Sequence, residues 1–301
     1  MTPGAPARDD AVRWPRISLV TPVWNSGKYI EQAIRSVLAQ GYPNLEYFIV
    51  DGGSTDGTLD VIRKYENQIS GWISEPDNGM YDALNKGFAR TSGEIMGWIS
   101  ATDQLQLSGL KVVGSVFRDL PSVEWITGRP TFFNEEGMTV FVLGLTRWSR
   151  FRFLAGANRC IQQESTYWRR SLWERAGSRV DSSSRNAADF ELWVRFFRHA
   201  QIYSVDGLIG GFREHGDSLG LQDMEAAYRI HDQYVEAELD SAPHGKWLRL
   251  FRRISRRMES IPKVRVAWKK LVMDRLYNRP GRDWPPIIEY QNDKWGFRPE
   301  R

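Results

Sequence analysis

Acidic side chains follow short apolar runs at two places in this chain of 301 residues. Asp51 comes directly after one run and precedes two glycines, and Asp103 closes a later run. A carboxylate at such a place can accept hydrogen bonds from a base or a ribose, and glycines let a ligand approach the backbone. It can also hold Mg²⁺, which proteins bind through one or two carboxylates plus substrate phosphates. Each residue has a structural alternative, since Ser54 or Thr55 could cap a helix and Asp103 could stabilise a turn.

Asp189, Glu164 and His215 also carry side chains suited to acid–base or metal chemistry. Asp189 could be a general base that deprotonates a hydroxyl, or it could cap a helix. Glu191 would not share a helical face with Asp189, so the two carboxylates need not act as a pair. Glu164 could orient an acceptor or be an ordinary exposed carboxylate. His215 could bind a metal or a phosphate, although four histidines without His-x-x-x-His spacing do not indicate a zinc site.

The apolar pattern over residues 17–99 predicts strands that alternate with helices. Short apolar runs bounded by turn residues predict strands at residues 17–20, 47–50, 72–74 and 95–99. Apolar residues at helical spacing predict helices at residues 30–38, 59–69 and 81–90. This order indicates an α/β fold with a mostly parallel central sheet flanked by helices. Such sheets bind ligands beyond the carboxyl ends of their strands. Here those ends lie at residues 21–25, 51–56 and 100–103.

The second half of the sequence is less regular. We predict a strand at residues 123–127, a hairpin joining residues 132–133 to 139–142, and a helix at residues 188–197. Trp247, Phe251, Ile254 and Met258 form one helical stripe that Pro262 is expected to end. A further helical pattern runs from Val264 to Leu276, and the last 20 residues, rich in proline and charge, are expected to pack loosely.

Composition excludes several classes of protein. Hydrophobic residues make up 41% of the chain and charged residues 26%, which is typical of a globular enzyme and not of a disordered chain. The sequence contains no run of about 18 apolar residues, so it predicts no membrane span. The first residues do not resemble a secretory signal. The single cysteine, Cys160, fits a reducing cytoplasm. Neither a dinucleotide GxGxxG motif nor a phosphate-binding GxxxxGK motif is present.

The basic residues are concentrated in one segment. Residues 246–275 hold eleven Lys or Arg against two acidic residues, so the rest of this chain of net charge +4 is acidic. That distribution argues against nucleic-acid binding by the whole protein, although a nucleic-acid-binding segment remains an alternative. Five arginines surround the apolar stripe: Arg249, Arg252, Arg253, Arg256 and Arg257. The pattern is typical of an interfacial helix on anionic lipid, or of a helix packed on the domain with solvated arginines.

Three segments together are more specific than any one of them. Residues 21–25 read TPVWN, residues 50–58 read VDGGSTDGT, and residues 75–87 read EPDNGMYDALNKG. The combination resembles the family 2 glycosyltransferases, most closely the bacterial branch that builds capsule, O-antigen and exopolysaccharide repeats. The resemblance implies a GT-A fold and transfer of one sugar, with inversion, from a UDP-, GDP- or dTDP-sugar to a saccharide or lipid-linked acceptor. It also implies Mg²⁺ or Mn²⁺. A lipid-linked acceptor fits the pattern of the basic segment, so we expect a peripheral position on an anionic membrane through residues 246–276.

The resemblance divides the chain and assigns roles to its residues. A flexible tail at residues 1–15 would precede a nucleotide-sugar-binding half at 16–105, an acceptor and catalytic half at 106–218 and a basic helical extension at 219–301. Asp189 aligns with the catalytic base, and Glu164, Trp168 and Glu191 would lie on the acceptor side. The donor would be bound by Thr21, Pro22, Asn25, Asp51, Ser54, Asp56, Asp82, Lys86, Thr102 and Asp103.

The metal-binding motif departs from the family pattern. Asp103 matches the usual metal ligand, with His215 as a further candidate, but Thr102 stands where the family typically has a carboxylate. Metal dependence is therefore in doubt, and a non-catalytic glycosyltransferase-like binding protein is an alternative. A nucleotidyltransferase is another, since it also places nucleotide and metal at sheet ends. The Gln-x-x-Arg-Trp motif of processive synthases is absent, which favours addition of a single sugar.

Overall fold

The computed structural model describes residues 13–156, 160–183, 187–216, 224–241, 244–272 and 285–298. Its strands are β1 (Ile17–Val23), β2 (Leu45–Asp51), β3 (Gly71–Ser74), β4 (Ile95–Trp98), β5 (Gln104–Leu105), β6 (Trp125–Thr127), β7 (Thr131–Phe133), β8 (Thr139–Val142), β9 (Thr166–Arg169), β10 (Ile202–Ser204), β11 (Gly210–Arg213), β12 (Ile288–Gln291) and β13 (Lys294–Phe297). Its helices are α1 (Ile30–Leu38), α2 (Thr58–Tyr65), α3 (Met80–Phe88), α4 (Gly109–Asp119), α5 (Arg150–Ala155), α6 (Arg170–Arg175), α7 (Ala188–Phe196), α8 (Met224–Ser241), α9 (Gly245–Glu259) and α10 (Pro262–Val272).

The central sheet has seven strands in the order β10-β6-β9-β4-β1-β2-β3. Strands β4, β1, β2 and β3 are parallel, while β9 runs antiparallel to both β4 and β6. All seven residues of β1 are buried, as expected for a central strand covered by helices on both faces. The prediction of a mostly parallel α/β sheet is therefore confirmed.

A smaller sheet stands beside the central one and carries the predicted hairpin. Its order is β5-β11-β7-β8, with β11 parallel to β7 and β7 antiparallel to β8. Strand β5 follows the end of β4 by a few residues and pairs with β11. This pairing brings the segment after β11 to the carboxyl end of β4, where Asp103 lies.

Aromatic side chains fill the core on one face of the central sheet. Trp98, Trp125, Trp168 and Trp193 are each no more than 1% exposed. The ring of Trp193 stacks on Trp98 at 5.9 Å and on Trp125 at 5.4 Å between centroids. Stacked aromatic pairs stabilise a core beyond the area they bury. Strands β4 and β6 and helix α7 are thereby joined through one block of rings.

The two ends of the described chain pack more tightly than predicted. Trp14, within the predicted tail, lies edge-on to Tyr42 at 5.3 Å. Near the carboxyl end, β12 and β13 form a hairpin that buries Trp295, whose indole N–H donates to Ser115 at 2.7 Å. The expectation of a loosely packed carboxyl end is thus wrong for the described residues 285–298. Residues 1–12 and 273–284 lie outside the described residues.

The basic extension is helical, as predicted, but its details differ. Helix α9 ends at Glu259, and Pro262 begins α10 instead of ending α9, because a proline lacks only an N–H that a first helical turn leaves unpaired. The predicted apolar stripe is split, since Phe251 is buried while Trp247 and Ile254 are largely exposed. No helix among the described residues combines the length and the hydrophobicity needed to cross a membrane.

Candidate active site

A cleft of about 900 Å³ opens at the carboxyl ends of β1 and β4. The start of α3, the start of α7 and the segment after β11 complete its walls. Seven of the residues proposed from sequence line it: Pro22, Asn25, Thr102, Asp103, Glu164, Asp189 and His215. Residues distant in the chain therefore meet at the edge of the sheet that the parallel topology predicts.

The loops after β1 and β2 are locked together by hydrogen bonds. The backbone N–H of Asn25 donates to Ser54 Oγ at 2.8 Å, and Thr55 N–H donates to Asn25 Oδ1 at 2.9 Å. Gly27 N–H donates to Asp56 Oδ2 at 2.9 Å. Asn25 has a φ of +46°, a left-handed conformation that asparagine tolerates better than most residues. These contacts fix Asn25 on the wall of the cleft.

Asp51 supports the same loop from behind. Its Oδ2 accepts hydrogen bonds from the N–H groups of Gly53 and Ser54, both at 3.0 Å, and from Ser74 Oγ at 2.7 Å. The side chain is fully buried and does not line the cleft, whereas Gly52 does. A Cβ at Gly52 would lie 2.6 Å from Asp77 Oδ2, so a larger residue would displace the Asp77 side chain. The predicted contact of Asp51 with a base stays a prediction.

Two buried carboxyl groups and the partly buried carboxyl group of Asp189 converge on the cleft. Asp103 is 2% exposed, its Oδ1 accepts the Arg213 N–H at 2.8 Å, and burial raises its pKa to about 6. Burial and the neighbouring Asp103 carboxylate raise the pKa of Glu164 well above its usual range. Burial also raises the pKa of Asp189. All three groups therefore take up a proton more readily than exposed carboxylates do.

Tyr81, which the sequence analysis did not single out, faces Asp189. It is the second residue of α3, it lines the cleft, and its hydroxyl hydrogen-bonds with the Asp189 carboxyl group. The same hydroxyl also faces the backbone N–H groups of Ala188 and Asp189 at the start of α7. The sequence signal that could have identified Tyr81 was its place in the motif at residues 75–87. Tyr81 thus connects α3 to the candidate base.

Arg213 fixes the strand end that carries Asp103. The fully buried guanidinium donates from Nε to the Thr102 carbonyl at 2.5 Å and from Nη1 to the Glu135 carbonyl at 2.6 Å. The Glu135 carboxylate in turn accepts from Tyr29 Oη at 2.9 Å and pairs with Lys28. The β7–β8 hairpin is therefore held to the cleft wall. Such a long-range arginine contact cannot be read from local sequence.

Six of the ten predicted donor-binding residues do not line the cleft: Thr21, Asp51, Ser54, Asp56, Asp82 and Lys86. The Lys86 ammonium donates to the Pro76 carbonyl at 2.9 Å and pairs with Glu75 at 3.1 Å and Asp82 at 3.5 Å. Asp82 also accepts the Asn78 N–H at 3.1 Å. Both side chains thus stabilise the segment before α3 and do not line the cleft. Thr21, another predicted donor contact, is fully buried and hydrogen-bonds Tyr47 Oη at 3.0 Å.

Two predicted acceptor-side residues are also placed elsewhere. Trp168 is fully buried in the aromatic core, with its ring 5.5 Å from that of Trp98. Glu191 forms a two-point ion pair with Arg195, at 2.7 Å from both Nε and Nη2. The alternation of β9 turns Trp168 away from the cleft, and the helical period turns Glu191 away from Asp189. Neither side chain lines the cleft.

The residues of the cleft were compared with what a divalent cation requires. No cluster of three or more His, Cys, Asp or Glu side chains within the described ranges could hold a metal. Asp103 lines the cleft beside Thr102, and the His215 ring lies 4.9 Å from that of Tyr29. A single carboxylate suits a hard cation that is shared with substrate phosphates, and does not suit one held by protein alone.

Sequence comparisons agree with this architecture. The model of glycosyl transferase family 2 matches residues 18–143. An uncharacterized glycosyltransferase of Mycobacterium tuberculosis is 30% identical over 189 residues, which cover 60% of this chain and 68% of the relative. A putative teichuronic acid biosynthesis glycosyltransferase of Bacillus subtilis, TuaG, is 37% identical over 93 residues, covering 30% of this chain and 37% of TuaG.

Solved structures share the fold at low sequence identity. TarS residues 1–349 of S. aureus with UDP-GlcNAc superposes with a TM-score of 0.63 at 16% identity, covering 87% of this chain and 76% of that one. A longer TarS chain is covered over only 42% of its length. Mannosyltransferase PcManGT of Pyrobaculum calidifontis, with GDP-Man and Mn²⁺, gives 0.56 at 17% identity, covering 89% of this chain and 82% of that one. The chain is therefore a glycosyltransferase of family 2 with the GT-A fold.

Proposed function

We propose that the protein transfers one sugar from a nucleotide-sugar donor, with inversion, to a hydroxyl group of a saccharide or lipid-linked acceptor. The observation that carries the proposal is that Asp103, at the end of β4, and Asp189, in the first turn of α7, line one cleft. The relatives support the substrate class, since TarS binds UDP-GlcNAc and PcManGT binds GDP-Man. The name of TuaG supports a role in bacterial surface polysaccharide synthesis.

Asp189 would be the base of this reaction. Its carboxylate takes the proton of the acceptor hydroxyl as that oxygen bonds to the anomeric carbon, and the bond from that carbon to the diphosphate breaks on the opposite face. A buried carboxylate is a stronger base than an exposed one, because burial disfavours its charged form. Glu164, beside Asp103, is placed to orient the acceptor or donor by hydrogen bonding.

The loops after β1 and β2 would bind the nucleotide. Pro22, Asn25 and Gly52 line this side of the cleft, and Ser54 and Asp56 hold their loops in place. Asp103 would hold Mg²⁺ or Mn²⁺ together with the donor diphosphate, with His215 on the same wall. When bound, such a cation neutralises charge that develops on the leaving diphosphate.

The test compares substitutions at two acidic residues of α7 that point to different sides of the helix. Asp189→Asn should lower kcat by about 10²–10⁴-fold while donor binding is kept, because the base is lost and its shape is not. Glu191→Gln is the matched control, since Glu191 pairs with Arg195 away from the cleft, and should change kcat less than about threefold. Near-normal turnover in Asp189→Asn would remove it from the base role. NMR of the first-formed product would show whether the anomeric configuration inverts.

A non-catalytic binding protein is the second candidate, and Thr102 is the observation that favours it. Thermal unfolding with UDP-, GDP- and dTDP-sugars separates the two, since a ligand of the native state raises the melting temperature. Donor-induced stabilisation without turnover of any acceptor would favour the binding protein. A lipid-linked acceptor would bring the enzyme to a membrane, and the basic segment 246–276 is the part proposed to meet it.

A further inference from the structure

Helix α9 has a buried side that holds it to the domain. Leu248, Phe251, Arg252 and Ser255 are each less than 10% exposed. The Phe251 ring lies 6.1 Å from that of Phe151 on α5, and Trp268 of α10 donates to Ser255 Oγ at 3.3 Å. The helix is therefore a fixed part of the surface, and its remaining sides have a defined orientation.

Three of the five arginines of α9 are engaged by acidic residues of α8. Arg249 pairs with Glu236 at 2.8 Å and also with Asp240. Arg252 and Arg256 both contact the Asp232 carboxylate, each at 2.6 Å. These guanidinium groups neutralise α8 and do not contribute a net charge to an external ligand.

The remaining basic side chains of α9 form a separate row. Lys246, Arg253 and Arg257 are exposed, and none of them forms an ion pair with any described residue. Their spacing of seven and then four residues places them along one side of the helix. This row therefore carries uncompensated positive charge.

An exposed apolar row lies next to the basic one. Trp247 is 48% exposed, Leu250 54% and Ile254 41%, and their spacing of three and four residues aligns them on one side. The Trp247 ring is fixed by stacking on Phe251 at 5.5 Å and on Phe151 at 5.9 Å. Apolar side chains aligned beside uncompensated cations match the boundary between lipid headgroups and acyl chains.

We propose that α9 docks onto an anionic lipid surface, with Trp247, Leu250 and Ile254 at the acyl boundary and Lys246, Arg253 and Arg257 at the headgroups. An anionic lipid surface is favoured over a protein partner, because the positive side chains repeat along the helix and do not converge on one point. The proposed membrane contact is therefore one side of α9. Phe251 and the three arginines that pair with α8, Arg249, Arg252 and Arg256, lie on its other sides. It does not require the catalytic roles given above.

The experiment is co-sedimentation with vesicles of phosphatidylcholine, with or without phosphatidylglycerol, in the absence of donor and acceptor. Wild-type protein should bind the anionic vesicles, and binding should weaken as salt is raised. Arg253→Gln/Arg257→Gln should reduce that affinity by about 30-fold, since each basic residue at such a surface contributes about fivefold. Leu250→Ser/Ile254→Ser should reduce it as well, because their apolar area no longer enters the interface.

The matched control is Arg249→Gln/Arg256→Gln, which removes the same charge from the side that faces α8. It should keep vesicle affinity within about threefold of the wild type, with folding checked by circular dichroism. Equal losses in the two arginine pairs, binding indifferent to lipid charge, or no binding by the wild type would each overturn the proposal. Donor-induced thermal stabilisation, measured on the same variants, should be unchanged, so a failure here is distinct from a failure of the proposed reaction.

Discussion

Buried carboxylates occur in two regions of this molecule, and their surroundings differ. Between β1 and β2, burial would raise the pKa of Glu46, but hydrogen bonds from Ser18 and from the N–H groups of Ser92 and Gly93 outweigh it, so the pKa is lowered. In the cleft, burial raises the pKa of Asp103, Glu164 and Asp189.

The difference lies in the charges around each carboxylate. Glu46 accepts from Arg16 at 2.7 Å, Ser18 at 2.6 Å and Ser92 N–H at 2.7 Å, so its charge is satisfied within the protein. Asp103 also accepts hydrogen bonds, from the Arg213 N–H and the Ser100 side chain, but it shares its site with the Glu164 carboxyl group. A carboxylate beside a cation keeps its charge, whereas carboxyl groups that face each other favour the uptake of a proton.

Among the tests of this comparison, the largest expected effect is that of Asp103→Ala. Asp103→Ala should weaken binding of the cognate nucleotide-sugar by on the order of 100-fold when Mn²⁺ is present, because the proposed carboxylate ligand of the cation is removed. Isothermal titration with Mn²⁺ and with EDTA measures this. If the substitution weakens binding equally under both conditions, Asp103 does not act through a cation.

The pH dependence of kcat is the second test. The raised pKa of Asp189 means that this base is protonated up to a higher pH than an ordinary aspartate, whose pKa is about 3.9. As pH falls through the raised pKa, kcat should decline about tenfold per unit. The groups around Asp189 are Tyr81, Glu164 and Cys160. An acid limb at the ordinary pKa of aspartate would contradict the comparison.

A smaller effect is expected for Tyr81→Phe. Removing the hydroxyl deletes a hydrogen bond that lowers the pKa of Asp189, so the acid limb of kcat should move to higher pH. At the optimum, kcat should fall by about tenfold, as expected for one hydrogen bond to a charged group. Tyr42→Phe is the control, since its hydroxyl donates to the Pro15 carbonyl far from Asp189. A lower kcat with an unmoved acid limb would assign Tyr81 a purely structural role.

Stability gives the smallest effect, with opposite signs in the two regions. Glu46 has a lowered pKa, so its carboxylate stabilises the fold above its unfolded pKa, and Glu46→Gln should cost about 1–3 kcal/mol at pH 8. Glu164 has a raised pKa, so ionisation destabilises the fold as pH rises, and Glu164→Gln should stabilise it by about 1 kcal/mol at pH 8. Urea unfolding at pH 8 without divalent metal measures both, and equal signs would refute the contrast.

Local pattern was sufficient to predict much of the fold. The fully buried run of β1 and the helical spacing from Ile30 to Val37 identify their elements without reference to the rest of the chain. The parallel topology then places Asn25 and Asp103 at one edge of the sheet. The β12–β13 hairpin also had a local signal in the pair Asn292 and Asp293. These residue types tolerate the positive φ that both adopt in this two-residue turn.

Side-chain direction and long-range pairing could not be predicted in this way. Trp168 was expected on the acceptor side, yet the pleat of β9 directs it into the core. Lys86 was expected to bind the donor, but its ammonium group instead contacts Glu75 and the Pro76 carbonyl. Arg213 contacts Thr102, which lies 111 positions earlier in the chain. Each outcome depends on which distant groups the fold brings close.

The stack of Trp193 on Trp98 has a mechanical consequence. Trp98 ends β4, five residues before Asp103, and Trp193 lies one turn after Asp189 on α7. The distance between the two carboxylates is therefore set by the stacked rings more than by the surrounding loops. Remodelling those loops could exchange one donor sugar for another while the spacing of the two carboxylates stays as it is.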